Sequence, residues 1–140
     1  MEQKKFKKIL IIFSDFYPEV SKNLIDGAEN YLNQNNFSFE KKKVDGSLEI
    51  PFLLHKFKNE FDGFIVLGCV IKGETDHFHY VCNAVSIGLK DLNLNIDIPI
   101  IFGVLTDNTE EQAINRSGGK FGNKGVEAAI SAIKMAHLNN

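Results

Sequence analysis

The stretch FIVLGCVI, residues Phe64–Ile71, decides the fold, and KGET, residues 72–75, follows it directly. A continuous apolar run is typical of a strand that is covered on both faces, as in a parallel α/β sheet. Two further runs of this kind are ILIIF, residues Ile9–Phe13, and IPIIFGVL, residues Ile98–Leu105. All three are far shorter than the ~20 residues that a membrane span needs. The sequence therefore predicts buried strands and no transmembrane segment.

A fourth strand and five helices are predicted around these runs. Phe37–Val44 alternates and carries three lysines, which discourage edge pairing, so we place it near a sheet edge. Apolar spacing and capping residues predict helices at Val20–Asn33, Glu49–Lys58, Asp76–Lys90 and Val126–His137, and a short helix through Asn115 capped by Thr106 or Asn108. Alternating strands and helices form a parallel sheet flanked by helices, with every strand-to-helix loop at one edge. Ligands of such folds bind at that edge.

Length and composition indicate one globular domain. The 140 residues, 44% hydrophobic and 24% charged, predict a single domain over residues 1–140. A net charge of -2 argues against a nucleic-acid-binding protein, which would carry a basic excess. The lysine-rich start precedes only five apolar residues, too few for a signal peptide. Cys69 and Cys82 fit buried, reduced thiols, so a cytoplasmic protein is expected.

The loop after Phe64–Ile71 is the first candidate site. Gly73–Thr75 leads into a predicted helix, whose N-terminal N–H groups and dipole favour an anion. His77 follows in the first turn, where an imidazole that titrates near neutral pH can transfer protons. The alternative is that Asp76 caps the helix and His77 is a surface residue. Glu74 and His77 have the three-residue spacing of a carboxylate–histidine metal site, but such a site needs a third and a fourth ligand. His79 lies on another side of the helix from His77, so no metal is expected.

Arg116 is the only arginine among sixteen cations. A planar, bidentate donor suits a phosphate or a carboxylate. The segment Gly118–Gly125 follows it, holds Lys120 and Lys124, and leads into the last predicted helix. It is not a P-loop, because it follows a helix and lacks the required glycine spacing. From these residues alone, phosphate binding and a solvated turn stay equally open.

Aromatic and acidic residues complete the candidates. Phe16 and Phe102 are expected at or near the mouth of the sheet, where a flat ligand ring could stack on them. Glu49 follows a glycine turn, and it could bind sugar hydroxyls or only favour a helix N-terminus as a carboxylate. Together these residues suggest a site for a phosphorylated small molecule, a flat heterocycle and a polyol.

At these residues the chain resembles the lumazine synthases of riboflavin biosynthesis. The matching segments are DGSLEIP (45–51), LGCVIKGETDHF (67–78), PIIFGVLT (99–106), EQAINRSG (111–118) and NKG (123–125). The resemblance runs from Lys8 to His137 and implies an α/β fold, a three-layer α/β/α sandwich with a four-stranded parallel sheet of flavodoxin-like topology. It also implies a transferase that needs no metal or cofactor. That enzyme would condense 5-amino-6-(D-ribitylamino)uracil with 3,4-dihydroxy-2-butanone 4-phosphate to give 6,7-dimethyl-8-ribityllumazine, phosphate and water.

The resemblance also assigns roles to residues, with His77 as the proton-transfer residue. The butanone phosphate would contact Gly73, Glu74, Thr75 and Arg116. The pyrimidine and its ribityl chain would contact Phe16, Ser47, Leu48, Glu49, Cys69, Val70, Ile71, Phe102 and Lys124. Because Phe102, Arg116 and Lys124 match groups from a neighbouring subunit, the active sites would be shared within a homopentamer. The compact segment from Arg116 to Lys124 resembles that of members that form icosahedral 60-mers, so a shell is expected, with a free pentamer as the alternative. The resemblance also suggests an association with riboflavin synthase.

Three positions depart from the commonest family pattern. Leu48 replaces an aromatic residue, His79 an acidic residue, and Tyr17 an asparagine. None of these changes removes a proposed catalytic group. Two alternatives remain: an archaeal-type riboflavin synthase of the same fold, and a flavin- or lumazine-binding carrier without catalysis. The first needs no phosphorylated substrate, and the second would leave His77 and Arg116 unused.

Overall fold

The computed structural model describes residues 8–139. The elements in that range are β1 (Ile9–Ser14), α1 (Pro18–Gln34), β2 (Phe39–Val44), α2 (Ile50–Phe57), β3 (Gly63–Ile71), α3 (His77–Asn95), β4 (Ile100–Asp107), α4 (Glu110–Arg116), β5 (Ser117–Gly119), β6 (Gly122–Asn123) and α5 (Lys124–Ala136). Short 3-10 turns occupy Ser47–Glu49 and His137–Asn139. Within residues 8–139, no helix combines the length and apolarity that crossing a bilayer requires.

Four strands form one parallel sheet in the order β2-β1-β3-β4. On β1, Ile9 and Ile11 pack into a buried cluster with α1, α4 and α5. The alternate residues Leu10 and Ile12 pack into a second cluster with α2 and α3. Both faces of the sheet are covered, which explains why its central strands are continuous apolar runs. The predicted three-layer α/β/α sandwich of flavodoxin-like topology is confirmed.

The lysine-rich strand β2 lies at one edge of the sheet, as predicted. Two of its lysines form ion pairs with neighbouring elements. Lys41 Nζ lies 2.6 Å from Glu29 Oε1, and Lys43 Nζ lies 3.1 Å from Asp15 Oδ2. These charges discourage the addition of another strand at this edge.

Most predicted boundaries were wrong by one to a few residues, those of α3, β4 and α5 among them. Helix α3 extends to Asn95 rather than Lys90, because Leu92 still packs against the cluster formed with α2. Strand β4 begins at Ile100 rather than Ile98, since Pro99 has no N–H for the ladder. Helix α5 begins before the predicted position, at Lys124.

The N-cap of α4 is Thr109, and not Thr106 or Asn108 as predicted. Thr109 Oγ1 accepts a hydrogen bond from the Gln112 N–H at 3.2 Å. Thr106 is unavailable for this role because it lies inside β4. The Asn108 N–H instead donates to Gln112 Oε1 at 2.8 Å. The strand therefore continues to Asp107 before the chain turns into the helix.

The segment Gly118–Gly125 contains the hairpin β5–β6 and the start of α5. Asn123 caps α5, since its Oδ1 accepts from the Gly125 N–H at 2.8 Å. The Asn123 Nδ2 also donates to the Asn23 carbonyl on α1 at 3.0 Å. A side-chain carbon at Gly125 would collide with the Leu24 carbonyl of α1. Glycine at this position therefore permits the close approach of α1 and α5.

Candidate functional site

The first cleft lies where β1, β2 and β3 end, at the edge that the topology predicts for ligands. It has a volume of about 280 Å³. Its lining residues are Ser14, Phe16, Tyr17, Gly46, Ser47, Leu48, Glu49, Cys69, Val70, Ile71, His77 and Val81. Eight of the residues proposed as site residues from the sequence meet here: Phe16, Ser47, Leu48, Glu49, Cys69, Val70, Ile71 and His77.

Phe16 stands in the loop between β1 and α1 with 73% of its surface exposed. Its ring meets the Tyr17 ring edge-on, with 5.1 Å between the ring centres. A phenylalanine is ordinarily buried, so this exposure at a cleft is a feature that a core residue would not have. The ring is available to stack on a flat ligand.

Two buried serines, Ser14 and Ser47, form the floor of the first cleft, and only Ser47 was proposed from the sequence. Ser14 Oγ and Ser47 Oγ lie 3.4 Å apart. A side-chain carbon at Gly68 would lie 2.7 Å from Ser14 Oγ, so the glycine leaves room for this pair. Ser21 Oγ donates to the Ser14 carbonyl at 2.8 Å, which ties the floor to α1. The signal for Ser14 was available, as it is the first polar residue after an apolar strand.

His77 is the first residue of α3, and its exposed side chain lines the first cleft. Its backbone N–H donates to Thr75 Oγ1 at 3.3 Å. Asp76 occupies the N-cap position but makes no side-chain capping bond. The cap thus comes from Thr75, one residue earlier than expected. A solvent-accessible imidazole at a cleft wall can exchange protons with a bound molecule.

The loop Gly73–Thr75 is exposed and joins β3 to α3. A side-chain carbon at Gly73 would have open space around it. The loop adjoins His77 but contributes no lining residue to the first cleft. Within residues 8–139, no group of three or more His, Cys, Asp and Glu side chains has a geometry for a metal ion.

A second cleft, of about 400 Å³, lies against β4, α4 and α5. It is lined by Phe102, Val104, Leu105, Thr106, Asp107, Arg116, Phe121, Lys124 and Glu127. Three residues proposed from the sequence meet here: Phe102, Arg116 and Lys124. Arg116 Nη1 donates to the Gln112 carbonyl at 3.0 Å, and its Cζ lies 5.0 Å from the centre of the Phe121 ring. The two clefts have no lining residue in common.

The expectation that Phe102 lies at the mouth of the sheet was wrong. Phe102 is the third residue of β4, and it pairs with Val66 in the middle of β3. The residue is 37% exposed because β4 is an edge strand, at the opposite side of the sheet from β2. Phe102 therefore contributes to a side surface rather than to the carboxyl edge.

Burial raises the pKa of three groups near the clefts. It raises the pKa of Cys69 to about 12, assisted by the negative charges of Asp107 and Glu110. The pKa of Tyr17 is also raised, first by burial and then by Cys69 and Glu110. Cys69 is therefore a neutral thiol and a poor nucleophile near pH 7. Burial raises the pKa of Asp107 as well, against the attraction of Arg116.

The two cysteines differ in environment. Cys69 is buried, as predicted, whereas Cys82 on α3 is only half-buried. Both are free thiols. Since burial also raises the pKa of Cys82, neither thiol has the lowered pKa of a reactive cysteine.

The fold and these clefts define a class, a parallel α/β protein with an apolar cleft at the carboxyl edge of its sheet and a separate cleft that holds two cations and two carboxylates. A family model described as 6,7-dimethyl-8-ribityllumazine synthase matches residues 7–140. The chain belongs to this family.

Similar proteins carry the same description. The chain is 42% identical over 134 residues to a 6,7-dimethyl-8-ribityllumazine synthase of Parabacteroides distasonis, covering 92% of this chain and 84% of the relative. It is 45% identical over 136 residues to one of Kosmotoga olearia, covering 94% and 87%. It is 46% identical over 134 residues to one of Christiangramia forsetii, covering 91% and 80%.

Proposed function

We propose that this protein is a lumazine synthase, a transferase that acts in riboflavin biosynthesis as a single domain over residues 1–140 in the cytoplasm. It condenses 5-amino-6-(D-ribitylamino)uracil with 3,4-dihydroxy-2-butanone 4-phosphate to 6,7-dimethyl-8-ribityllumazine, phosphate and water. The observation that carries this proposal is the first cleft, where the exposed Phe16 ring and the His77 imidazole line one cavity. Membership of the lumazine synthase family supports the choice of substrates.

In the first cleft, the pyrimidine ring stacks on Phe16 and its ribityl chain reaches Ser47 and Glu49. Leu48, Cys69, Val70 and Ile71 form the apolar wall, and the neutral thiol of Cys69 suits that role. His77 transfers protons while the substrate amine attacks the ketone and an imine forms with loss of water. Proton loss then expels phosphate and leaves an enol, which tautomerises to a second ketone. The ribityl-bearing nitrogen attacks this ketone, and loss of a second water closes the ring.

The phosphate group of the second substrate binds between Arg116 and the loop residues Gly73, Glu74 and Thr75. The exposed loop precedes α3, whose N-terminus favours an anion. Arg116 supplies two parallel N–H donors, which a lysine cannot supply. Lys124, at the start of α5, adds positive charge beside Arg116.

The site is completed by a second copy of the chain. The first cleft contains His77 and Phe16, whereas Phe102, Arg116 and Lys124 line the other cleft. An exposed apolar stripe on α3, formed by Tyr80, Ile87 and Leu94, supports association of copies. We propose a homopentamer with shared sites, assembled into an icosahedral shell and associated with riboflavin synthase.

A mixing experiment tests the shared site. Arg116→Ala and His77→Ala chains, each inactive alone, are produced together with different tags so that mixed assemblies form. A site that joins His77 of one copy to Arg116 of another regains activity in about a quarter of random pairings. Mixed assemblies that stay as inactive as the parents would mean that each chain carries a complete site.

The overall activity is tested by mixing the protein with both substrates. Absorbance measures the lumazine formed, and the amount of released phosphate is measured in parallel. An enzyme-free control corrects for spontaneous condensation. Strong acceleration with stoichiometric phosphate supports the proposal. Formation of riboflavin from lumazine alone would favour the archaeal-type riboflavin synthase, and tight lumazine binding without turnover would favour the carrier.

A further inference from the structure

Phe121 is an exposed aromatic residue whose neighbours are two cations. It lies between β5 and β6, and 59% of its surface is exposed. The centre of its ring lies 5.0 Å from Arg116 Cζ and 5.6 Å from Lys120 Nζ. A cation at such a distance is attracted to the electron-rich face of the ring. The ring also lines the second cleft.

The hairpin fixes the ring beside the guanidinium. The Phe121 N–H donates to the Asn115 carbonyl at 2.8 Å, which ties the hairpin tip to the last turn of α4. Gly118 and Gly122 flank the tip with φ of 107° and 85°, values that favour glycine. The reversal brings residue 121 back to the helix end that carries Arg116.

Arg116 is thereby held from two directions. One nitrogen, Nη1, donates to the Gln112 carbonyl at 3.0 Å, and the Phe121 ring adjoins the guanidinium carbon. A guanidinium has five N–H donors, so the remaining donors stay available to an anion. Holding the side chain before binding reduces the rotamer freedom that is lost when a phosphate binds.

We propose that Phe121 is a positioning residue for the phosphate-bearing substrate, acting through Arg116. This inference rests on the proposed function for the identity of the substrate, but the ring–guanidinium contact exists independently of it. If Phe121 were only an apolar wall of the cleft, leucine would serve equally well in its place. A partner for a guanidinium, in contrast, needs an aromatic face. The two roles are therefore separable by substitution.

The test compares Phe121→Leu with Phe121→Tyr in the full chain. We measure KM for each substrate, kcat, and the Kd of inorganic phosphate by calorimetry. Phe121→Leu should raise the phosphate Kd and the KM of the butanone phosphate by about 2- to 30-fold, with the KM of the pyrimidine nearly unchanged. Phe121→Tyr keeps the ring face and should restore values close to those of the unsubstituted protein.

Two controls locate the effect. In an Arg116→Gln background, Phe121→Leu should no longer change the phosphate Kd, because the ring has lost its partner. Phe16→Leu, the same substitution in the first cleft, should raise the KM of the pyrimidine instead. A leucine variant that binds phosphate normally, or a tyrosine variant as weak as the leucine one, would overturn the proposal.

The result also separates this inference from the proposed function. If phosphate binding depends on Phe121 but no lumazine forms, the positioning role holds and the synthase function fails. If lumazine forms with unchanged constants in Phe121→Leu, the function holds and the positioning role fails. Absence of both phosphate binding and turnover in the unsubstituted protein would reject both.

Discussion

The two clefts differ in where the fold makes them and in the chemistry they hold. The first lies at the ends of three adjacent strands and is mainly apolar, with His77 exposed at its wall. The second lies on the outer strand and the two last helices, and it contains Arg116, Lys124, Asp107 and Glu127. One cleft thus suits a flat ring and proton transfer, and the other offers a guanidinium and an ammonium group beside two carboxylates. Neither holds both sets of groups, so the proposed reaction needs the two together.

The largest expected effect separates proton transfer from anion binding. His77→Ala should lower kcat by about 10²–10⁴-fold, because general acid–base catalysis contributes roughly that factor. The Kd of inorganic phosphate should stay unchanged, since the proposed phosphate contacts come from Arg116 and the loop Gly73–Thr75 and not from the His77 side chain. Steady-state kinetics and phosphate calorimetry check the two statements.

His55→Ala is a matched control for that experiment. His55 is exposed on α2 and does not line either cleft. It should leave kcat close to that of the unsubstituted protein. An equal loss of activity in both variants, or normal turnover in His77→Ala, would remove His77 from the proposed role.

A substitution at the contact of α1 with α5 should lower the stability of the protein and affect the second cleft more than the first. Gly125→Ala forces a methyl group against the Leu24 carbonyl, and such overpacking costs about 1–3 kcal/mol, here near the upper end because the obstacle is backbone. Lys124 precedes Gly125 and lines the second cleft, so its side chain should shift with α5. Urea unfolding at fixed protein concentration measures the free energy change.

Gly73→Ala provides the contrast, because open space surrounds that position and the substitution should change stability by less than about 1 kcal/mol. Equal unfolding midpoints for the two alanine variants would show that α1 and α5 can separate without cost. In that case, the packing of these helices is not what holds Lys124 in place.

The first cleft could be predicted largely from the sequence, and the second only in part, through Arg116 and Lys124. Apolar runs such as Ile9–Phe13 identify strands, and the rule for strand ends locates the residues that follow them. Phe102 was misplaced, because the sequence does not say which strand is outermost or which side its third residue faces. Phe121 was missed because twelve phenylalanines occur in the chain and most are expected in the core. Its contact depends on a hairpin fold-back that no local pattern specifies.

Arg116→Lys should weaken the binding of the butanone phosphate without weakening the binding of the pyrimidine. A lysine keeps the charge but loses bidentate geometry, so the KM of the butanone phosphate should rise by about 10- to 100-fold. The KM of the pyrimidine should change little. Steady-state kinetics with each substrate varied in turn measures both values. If both rise together, sedimentation should reveal broken assembly, and intact assembly would instead contradict the division between the clefts.

A smaller effect is expected in the first cleft. Phe16→Leu removes an aromatic stacking surface worth about 0.5–1.5 kcal/mol, which corresponds to roughly a 2- to 10-fold higher KM for the pyrimidine. Phosphate binding should be unaffected. Phe16→Tyr preserves the ring and should bind the pyrimidine normally. A leucine variant with an unchanged KM would mean that the exposed ring does not contact the substrate.

The smallest effect concerns Asp107, which borders the second cleft close enough to Cys69 to influence it. Burial raises the pKa of Asp107 from its usual 3.8, and the positive charge of Arg116 only partly opposes this. A carboxyl whose folded pKa is raised favours folding when protonated, and that contribution is lost as pH rises through its folded pKa. Asp107→Asn, which stays neutral, should therefore be more stable than the unsubstituted protein at pH 7. The difference should disappear as pH falls towards 3.8.

Unfolding in urea at several pH values and one protein concentration measures that difference. The substitution also removes one of the two negative charges that raise the pKa of Cys69, so that pKa should fall while Glu110 keeps part of the effect. Slower alkylation of Cys69 at high pH, or a stability gain that persists at low pH, would contradict the assignment. Slower alkylation would mean that the Asp107 charge does not raise the pKa of Cys69, and a gain that persists at low pH would mean that burial of this charge is not what lowers the stability.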